Sequence, residues 1–158
     1  MSKVKTNAMR ILDTKNIEYR ALTYDKGDGR IDGISVAEKI GRDLKEVFKT
    51  LVAKGNSGEL YVFIIPVAEE LDLKKAAKAA GEKKIEMIPV KDITKFTGYV
   101  RGGCSPIGMK KQYPTFLDES ALNLDTLVVS GGKIGVQIEL SPQDLQEVTN
   151  SQICDLTK

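Results

Sequence analysis

Apolar positions along the chain change period several times, and each change marks an element. Val4, Ala8, Ile11 and Leu12 recur at helical spacing, with Ser2 placed to cap the first turn and Asn16 to stop it. Tyr19 to Tyr24 shortens to a strand-like alternation and leads into a loop with Gly27, Gly29 and Gly33. Ser35 and Glu38 have the S-x-x-E spacing of a capping box, which predicts a short helix that Gly41 ends. Val47 to Lys54 and Leu60 to Val67 read as two strands turning through Gly55-Asn56-Ser57-Gly58 as a β-hairpin.

Asp72 is placed to cap a helix that runs through Lys74, Lys75, Ala76, Ala77 and Lys78 to Gly81. A short strand around Ile85 to Ile88 stops at Pro89, and a further helix from Lys91 ends at Gly98. Past a glycine-rich loop, Thr115 to Leu117 reads as a strand. Thr126 to Ser130 and Lys133 to Leu140 form a second predicted hairpin, turning through Gly131-Gly132. Ser141 as N-cap with Pro142 at the first helical position opens the last helix, and Gln152 to Leu156 closes with a strand. Hairpins dominate and no repeated βαβ order is present. The expected fold is therefore α+β, a mixed, partly closed sheet with helices packed outside. No repeat or linker divides the chain, so residues 1–158 are expected to form a single domain.

Composition narrows the chemistry. The 158 residues include two cysteines and no histidine, which excludes Ser-His-Asp and Cys-His relays and the usual His-containing zinc sites. Cys104 and Cys154 are too few for a thiolate zinc site, so neither metal nor cofactor is expected. Their number also fits a reducing compartment. The first sixteen residues lack the apolar run of a signal peptide, and the longest apolar run, Leu60 to Ala68, is about half of a membrane span. A cytoplasmic protein without membrane association is expected. Net charge is only +2, yet Lys74, Lys75, Lys78, Lys83 and Lys84 cluster, and Arg101, Lys110 and Lys111 flank the glycine loop. Such patches either meet phosphates or are solvated surface.

Among single residues Lys49 is the most informative. Alternation in Val47-Phe48-Lys49-Thr50-Leu51-Val52-Ala53 sets it on one face with Val47, Leu51 and Ala53, with Phe48 and Val52 on the other. A lysine on an apolar face is either paired, at the rim with its ammonium in water, or functional. The loop Gly102-Gly103-Cys104-Ser105-Pro106-Ile107-Gly108 allows positive φ and close backbone approach, so that its amides could meet one oxygen; the plain alternative is a tight loop. Tyr24 ends the first strand and is either a hydrogen-bond donor into a cleft or a rim aromatic. Gln137 alternates with Ile134, Val136, Ile138 and Leu140 and reads as a solvated strand position, and Ser130 as a turn residue. Asp144 reads as dipole compensation for the last helix. Cys104 has no histidine to activate it and reads as loop filler.

Phe48-Lys49-Thr50-Leu51, Leu73-Lys74-Lys75-Ala76-Ala77-Lys78, Gly98-Tyr99-Val100-Arg101-Gly102-Gly103-Cys104-Ser105-Pro106-Ile107-Gly108 and Val129-Ser130-Gly131-Gly132-Lys133 stand in the order seen in the YbaK/EbsC family, which the chain resembles from Lys5 onward. These are bacterial aminoacyl-tRNA deacylases related to the editing domain of bacterial prolyl-tRNA synthetases. The resemblance implies the YbaK-like fold, with a largely antiparallel, barrel-like sheet. It also implies trans-editing of Cys-tRNA(Pro), and of Cys-tRNA(Cys), by a mechanism in which the substrate thiol attacks its own ester. Lys49 matches the family's essential lysine, and Gly102 with Pro106 its G-x-x-x-P loop; Gly103 stands beside them as a further backbone donor and Ser105 as a substrate contact. Tyr24 and Ser130 match pocket positions, and Gln137 stands where relatives carry aspartate. The implied partners are the acceptor end of aminoacyl-tRNA and prolyl-tRNA synthetase. Two other readings stay open: a non-enzymatic tRNA-binding or regulatory module, and a deacylase for another aminoacyl-tRNA such as Ala-tRNA(Pro).

Overall fold

A computed structural model describes residues 5–158 and shows two sheets covered by five helices. Strands β1 (Arg20–Thr23), β6 (Leu127–Lys133) and β7 (Val136–Leu140) form a three-stranded sheet in the order β1-β7-β6. Strands β2 (Phe48–Gly55), β3 (Leu60–Pro66), β4 (Ile85–Met87), β5 (Thr115–Asp118) and β8 (Gln152–Cys154) form the other, in the order β4-β2-β3-β5-β8. Pairing is antiparallel except for β3 with β5 and β5 with β8. The α+β class and the mixed, largely antiparallel sheet are as expected. Closure is partial, the two sheets being joined by a parallel bridge from Val47 to Val128.

The core lies between the layers. Ala8, Met9 and Leu12 of α1 (Asn7–Thr14) pack with Phe48, Val52, Ile64, Val129 and Ile138 in the main cluster. Removing this apolar surface from water, at about 25 cal/mol per Å², is the principal stabilising contribution. Across the larger sheet, Ala53, Phe63 and Ile65 meet Ala76 and Ala77 of α3 (Leu73–Ala80). Alternation along β2 thus sends Phe48 and Val52 to one side and Ala53 to the other, as the hydrophobic pattern predicts.

The sequence-based expectations need correction at several helix and strand ends. The Ser2 cap and Val4 lie outside the described residues, and among those described Thr6 caps α1, its hydroxyl accepting from the Met9 amide. Helix α2 (Gly33–Ile40) is capped by Asp32, which accepts from both the amide and the hydroxyl of Ser35. Ser35 is therefore inside the helix, because a carboxylate three residues upstream satisfies the free first-turn amide better than Ser35 could. The predicted helix from Lys91 is a 3-10 turn, Val90–Asp92, followed by α4 (Ile93–Thr97). The second hairpin turns at Ile134-Gly135; Gly131-Gly132 forms a bulge within β6 between Ser130 and Lys133. The last helix, α5 (Pro142–Thr149), begins with Ser141 as its cap as expected. No helix among the described residues is long and apolar enough to cross a membrane.

Candidate functional site

β2 is paired with β3 along its whole length, but its other edge is covered only at its ends. Val47 bridges to β6 at one end, and Val52 accepts from the Ile88 amide at the other, next to β4. Thr50 lies between, and backbone alternation puts its N–H and C=O on the same side as those of Val52. Among the described residues no strand pairs with Thr50 on that side. This gap between the sheets holds a pocket of about 120 Å³. It opens into a wider groove of about 820 Å³ running past Met87, Val90 and Arg101.

Lys49, Thr50, Gly102, Cys104, Ser130 and Gln137 provide the polar wall of the pocket. Ile31, Val36, Val47, Phe48 and Val67 provide the apolar one. The structure thus brings Lys49, Gly102, Ser130 and Gln137 together from four separate stretches of chain. Lys49 makes no ion pair within 4.0 Å and no hydrogen bond among the described residues. Burial holds its ammonium below the ordinary lysine range, an effect that Glu70 and then Glu69 partly oppose from a distance.

Gln137 is only 6% exposed and pairs with Ser130 and Leu22 across the small sheet. The solvated-strand expectation therefore fails, because the β6 bulge and the bridge to β2 turn this face of the hairpin inward. Ser130 is no turn residue either; its hydroxyl accepts from the Gly132 amide and stabilises the bulge.

The glycine loop is held from several sides. The Gly103 amide donates to the Val100 carbonyl at 3.0 Å, closing a turn whose third residue, Gly102, has φ +85. Positive φ at that position is the mark of a type II turn, and it requires glycine. A Cβ on Gly103 would lie 2.9 Å from the Ile134 amide nitrogen, so the loop sits flush on the tip of the β6–β7 hairpin. Tyr99 donates to the Ile107 carbonyl at 2.6 Å, and Asn7 to the Gly108 carbonyl at 3.0 Å. Ser105 and Pro106 are the buried part of the loop and do not line the pocket; Ser105 accepts from the Ile107 amide. Gly103 shapes the loop with its amide already engaged, whereas the amides of Gly102 and Cys104 have no acceptor among the described residues.

Tyr24 lies just beyond β1, its amide donating to Gly135, and is outside the pocket lining. Its hydroxyl is buried without a hydrogen-bond partner, as is the Thr50 hydroxyl. Cys104, expected as loop filler, is a pocket wall with its thiol pushed up to about 11 by burial, so it is a poor nucleophile at neutral pH. Sequence reasoning missed Thr50, Ile31 and Val36. For Thr50 a signal was present, since a hydroxyl between Phe48 and Val52 must be buried and needs a partner.

The lysine patches are partly neutralised. Lys75 pairs with Asp155 and donates to the Thr157 carbonyl, and Lys84 pairs with Glu86. Lys74, Lys78 and Lys83 are exposed without ion pairs among the described residues, and Arg101 is exposed at the groove.

Comparison with known proteins gives this arrangement its context. The chain is 47% identical over 153 residues, 97% of its length and 93% of the other's, to an Enterococcus faecalis protein that carries the name of a Cys-tRNA(Pro)/Cys-tRNA(Cys) deacylase, EbsC. A crystal structure described as a trans-editing enzyme for prolyl tRNA synthetase superposes with a TM-score of 0.85 at 24% identity, covering 99% of each chain. That of protein APE2540 superposes with a TM-score of 0.88 at 22% identity, covering 97% of this chain and all of the other. At these identities the two structures speak for the fold. Residues 33–148, which include the whole polar wall of the pocket, match the aminoacyl-tRNA editing domain, and the chain belongs to that family.

Proposed function

We propose that this protein is a trans-editing deacylase that clears cysteine from Cys-tRNA(Pro) and Cys-tRNA(Cys) by cleavage assisted by the substrate's own thiol. One observation carries this reading above the others: a small pocket whose one charged side chain, Lys49, lacks a protein partner among the described residues and whose one thiol, Cys104, is held protonated. Such a pocket contains a cation and backbone donors but no activated nucleophile. In the proposed step the substrate sulfur bonds to the ester carbonyl carbon and the bond from that carbon to the ribose oxygen breaks. The thiol proton passes to the departing ribose oxygen, leaving a cyclic thioester and free tRNA. Lys49 holds the terminal phosphate or ribose, and the Gly102 amide, with that of Cys104, faces the developing oxyanion. Ser130 and Gln137 bound the aminoacyl side chain.

Lys74, Lys78, Lys83 and Arg101 grip phosphates without reading sequence, so binding weakens as salt rises. Discrimination among tRNAs is then assigned to a prolyl-tRNA synthetase partner. The test is loss of the aminoacyl ester from Cys-tRNA(Pro) with the purified protein. S-methylation of the substrate cysteine should abolish turnover, and continued cleavage would favour an activated water. Ala-tRNA(Pro) supplies the matching control, since rapid cleavage of a substrate lacking a thiol would reassign the specificity.

A further inference from the structure

The proposed substrate has an α-amino group beside the scissile ester, and the pocket offers no carboxylate to balance it as an ammonium ion. The lining contains one charged side chain, the cation of Lys49, and no carboxylate. In the wider groove the acidic group is Asp32, whose carboxylate caps α2 by accepting from the amide and hydroxyl of Ser35, and Arg101 adds a second cation. An ammonium placed here meets like charge, which at close range disfavours it.

What the pocket does present is a stretch of open β-edge. Thr50 turns one N–H and one C=O toward the gap between β4 and β6, without a ladder partner among the described residues, and its buried hydroxyl is also unpartnered. The open C=O is the complement of an amide N–H, which pairs with it as another strand would, while the amide's own C=O, trans to that N–H, points away toward the groove. The adjoining groove of about 820 Å³, with Met87 and Val90 exposed at its side, leaves room for an acyl chain to continue outward.

From this charge pattern and this open edge, and resting on the deacylase reading above, we infer that the protein also cleaves N-acylated aminoacyl esters of tRNA, with Thr50 pairing to the acyl amide. The chemistry is unchanged: the cysteine sulfur bonds to the ester carbonyl carbon, the bond to the ribose oxygen breaks, and the thiol proton leaves with that oxygen. The acyl amide stays intact.

The experiment compares Cys-tRNA(Pro) with N-acetyl-Cys-tRNA(Pro), its thiol free, at pH 7. N-acetyl substrate is expected to retain at least one tenth of the kcat/KM of the free-amine substrate; a larger loss overturns the inference while leaving the deacylase reading intact. If Cys-tRNA(Pro) itself is not cleaved, both fall. Gln137→Glu places a carboxylate in the pocket and should shift the ratio of the two kcat/KM values at least tenfold toward the free amine. An unchanged ratio overturns the charge argument, and since a ratio cancels any loss of folded protein, a weakened variant still decides.

Discussion

Two partly buried cations, seven residues apart, are treated in opposite ways. Arg42, in the loop after α2, donates to Glu46 at 3.1 Å and is also bonded to Glu139 of β7, with Thr126 close by. Its side chain is 18% exposed and that of Glu139 13%. Lys49, on β2, faces a cavity with no protein partner among the described residues. The first arrangement ties the α2 loop to the small sheet and is complete without a ligand. The second is costly as it stands and becomes favourable only when an anion or polar group arrives, which is how functional sites depart from structural ones.

The sharpest way to break this contrast is to remove Lys49. Lys49→Ala is expected to lower deacylation of Cys-tRNA(Pro) by about 10²- to 10³-fold, the scale of losing one preorganised electrostatic contact, with circular dichroism unchanged. Full activity would end the assignment. Removing the other cation should do the reverse. Arg42→Met leaves Glu46 without its cation and Glu139 with only the exposed Arg20 at 3.8 Å, and should destabilise the fold by about 2 kcal/mol, below the usual figure for fully buried pairs because this one is partly exposed. Calorimetry should show a fall of about 4–8 °C in Tm, with activity of the folded protein retained at low temperature.

A subtler effect concerns stability at Lys49. Because burial lowers its pKa from the ordinary 10.5, the folded state binds that proton less tightly than the unfolded state does. Stability from this group therefore increases as pH climbs from the lowered value towards 10.5, and is reduced below that window. Lys49→Met should lack this rise and gain about 1 kcal/mol at neutral pH, measured by urea unfolding at pH 7 and pH 10. The smallest change is expected at Cys104, where Cys104→Ala should keep activity within about threefold, since a thiol held protonated near 11 takes no nucleophilic part. Loss of turnover with an intact fold would overturn the substrate-thiol proposal.

How much of the site was legible depends on the range of the forces that build it. Lys49 stood out because strand alternation is local, and a charge breaking an apolar face is visible within seven residues. Gly102 was legible for the same reason, a positive φ in a turn being a short-range requirement. Gln137 was misread because its burial depends on a bulge directly after its cross-strand partner Ser130 and on a bridge to the start of β2, remote in the chain. Ser105 and Pro106 carry the right loop signature but are buried away from the pocket lining, and alternation cannot tell which way a loop residue faces.

By itself the sequence determined the order of most elements, the helix ends at Gly41 and Gly81, the hairpin from β2 to β3 and the absence of imidazole chemistry, all consequences of near-neighbour sterics or of composition. Tertiary structure alone decided that β2 would have an uncovered stretch at Thr50, and that Gly102, Ser130 and Gln137 would converge on Lys49. It also decided that Arg42 would find two carboxylates while Lys49 found none. Those outcomes depend on how two sheets meet at the Val47–Val128 bridge, and the burial that drives the meeting is non-directional, so its details are written only in the packed fold.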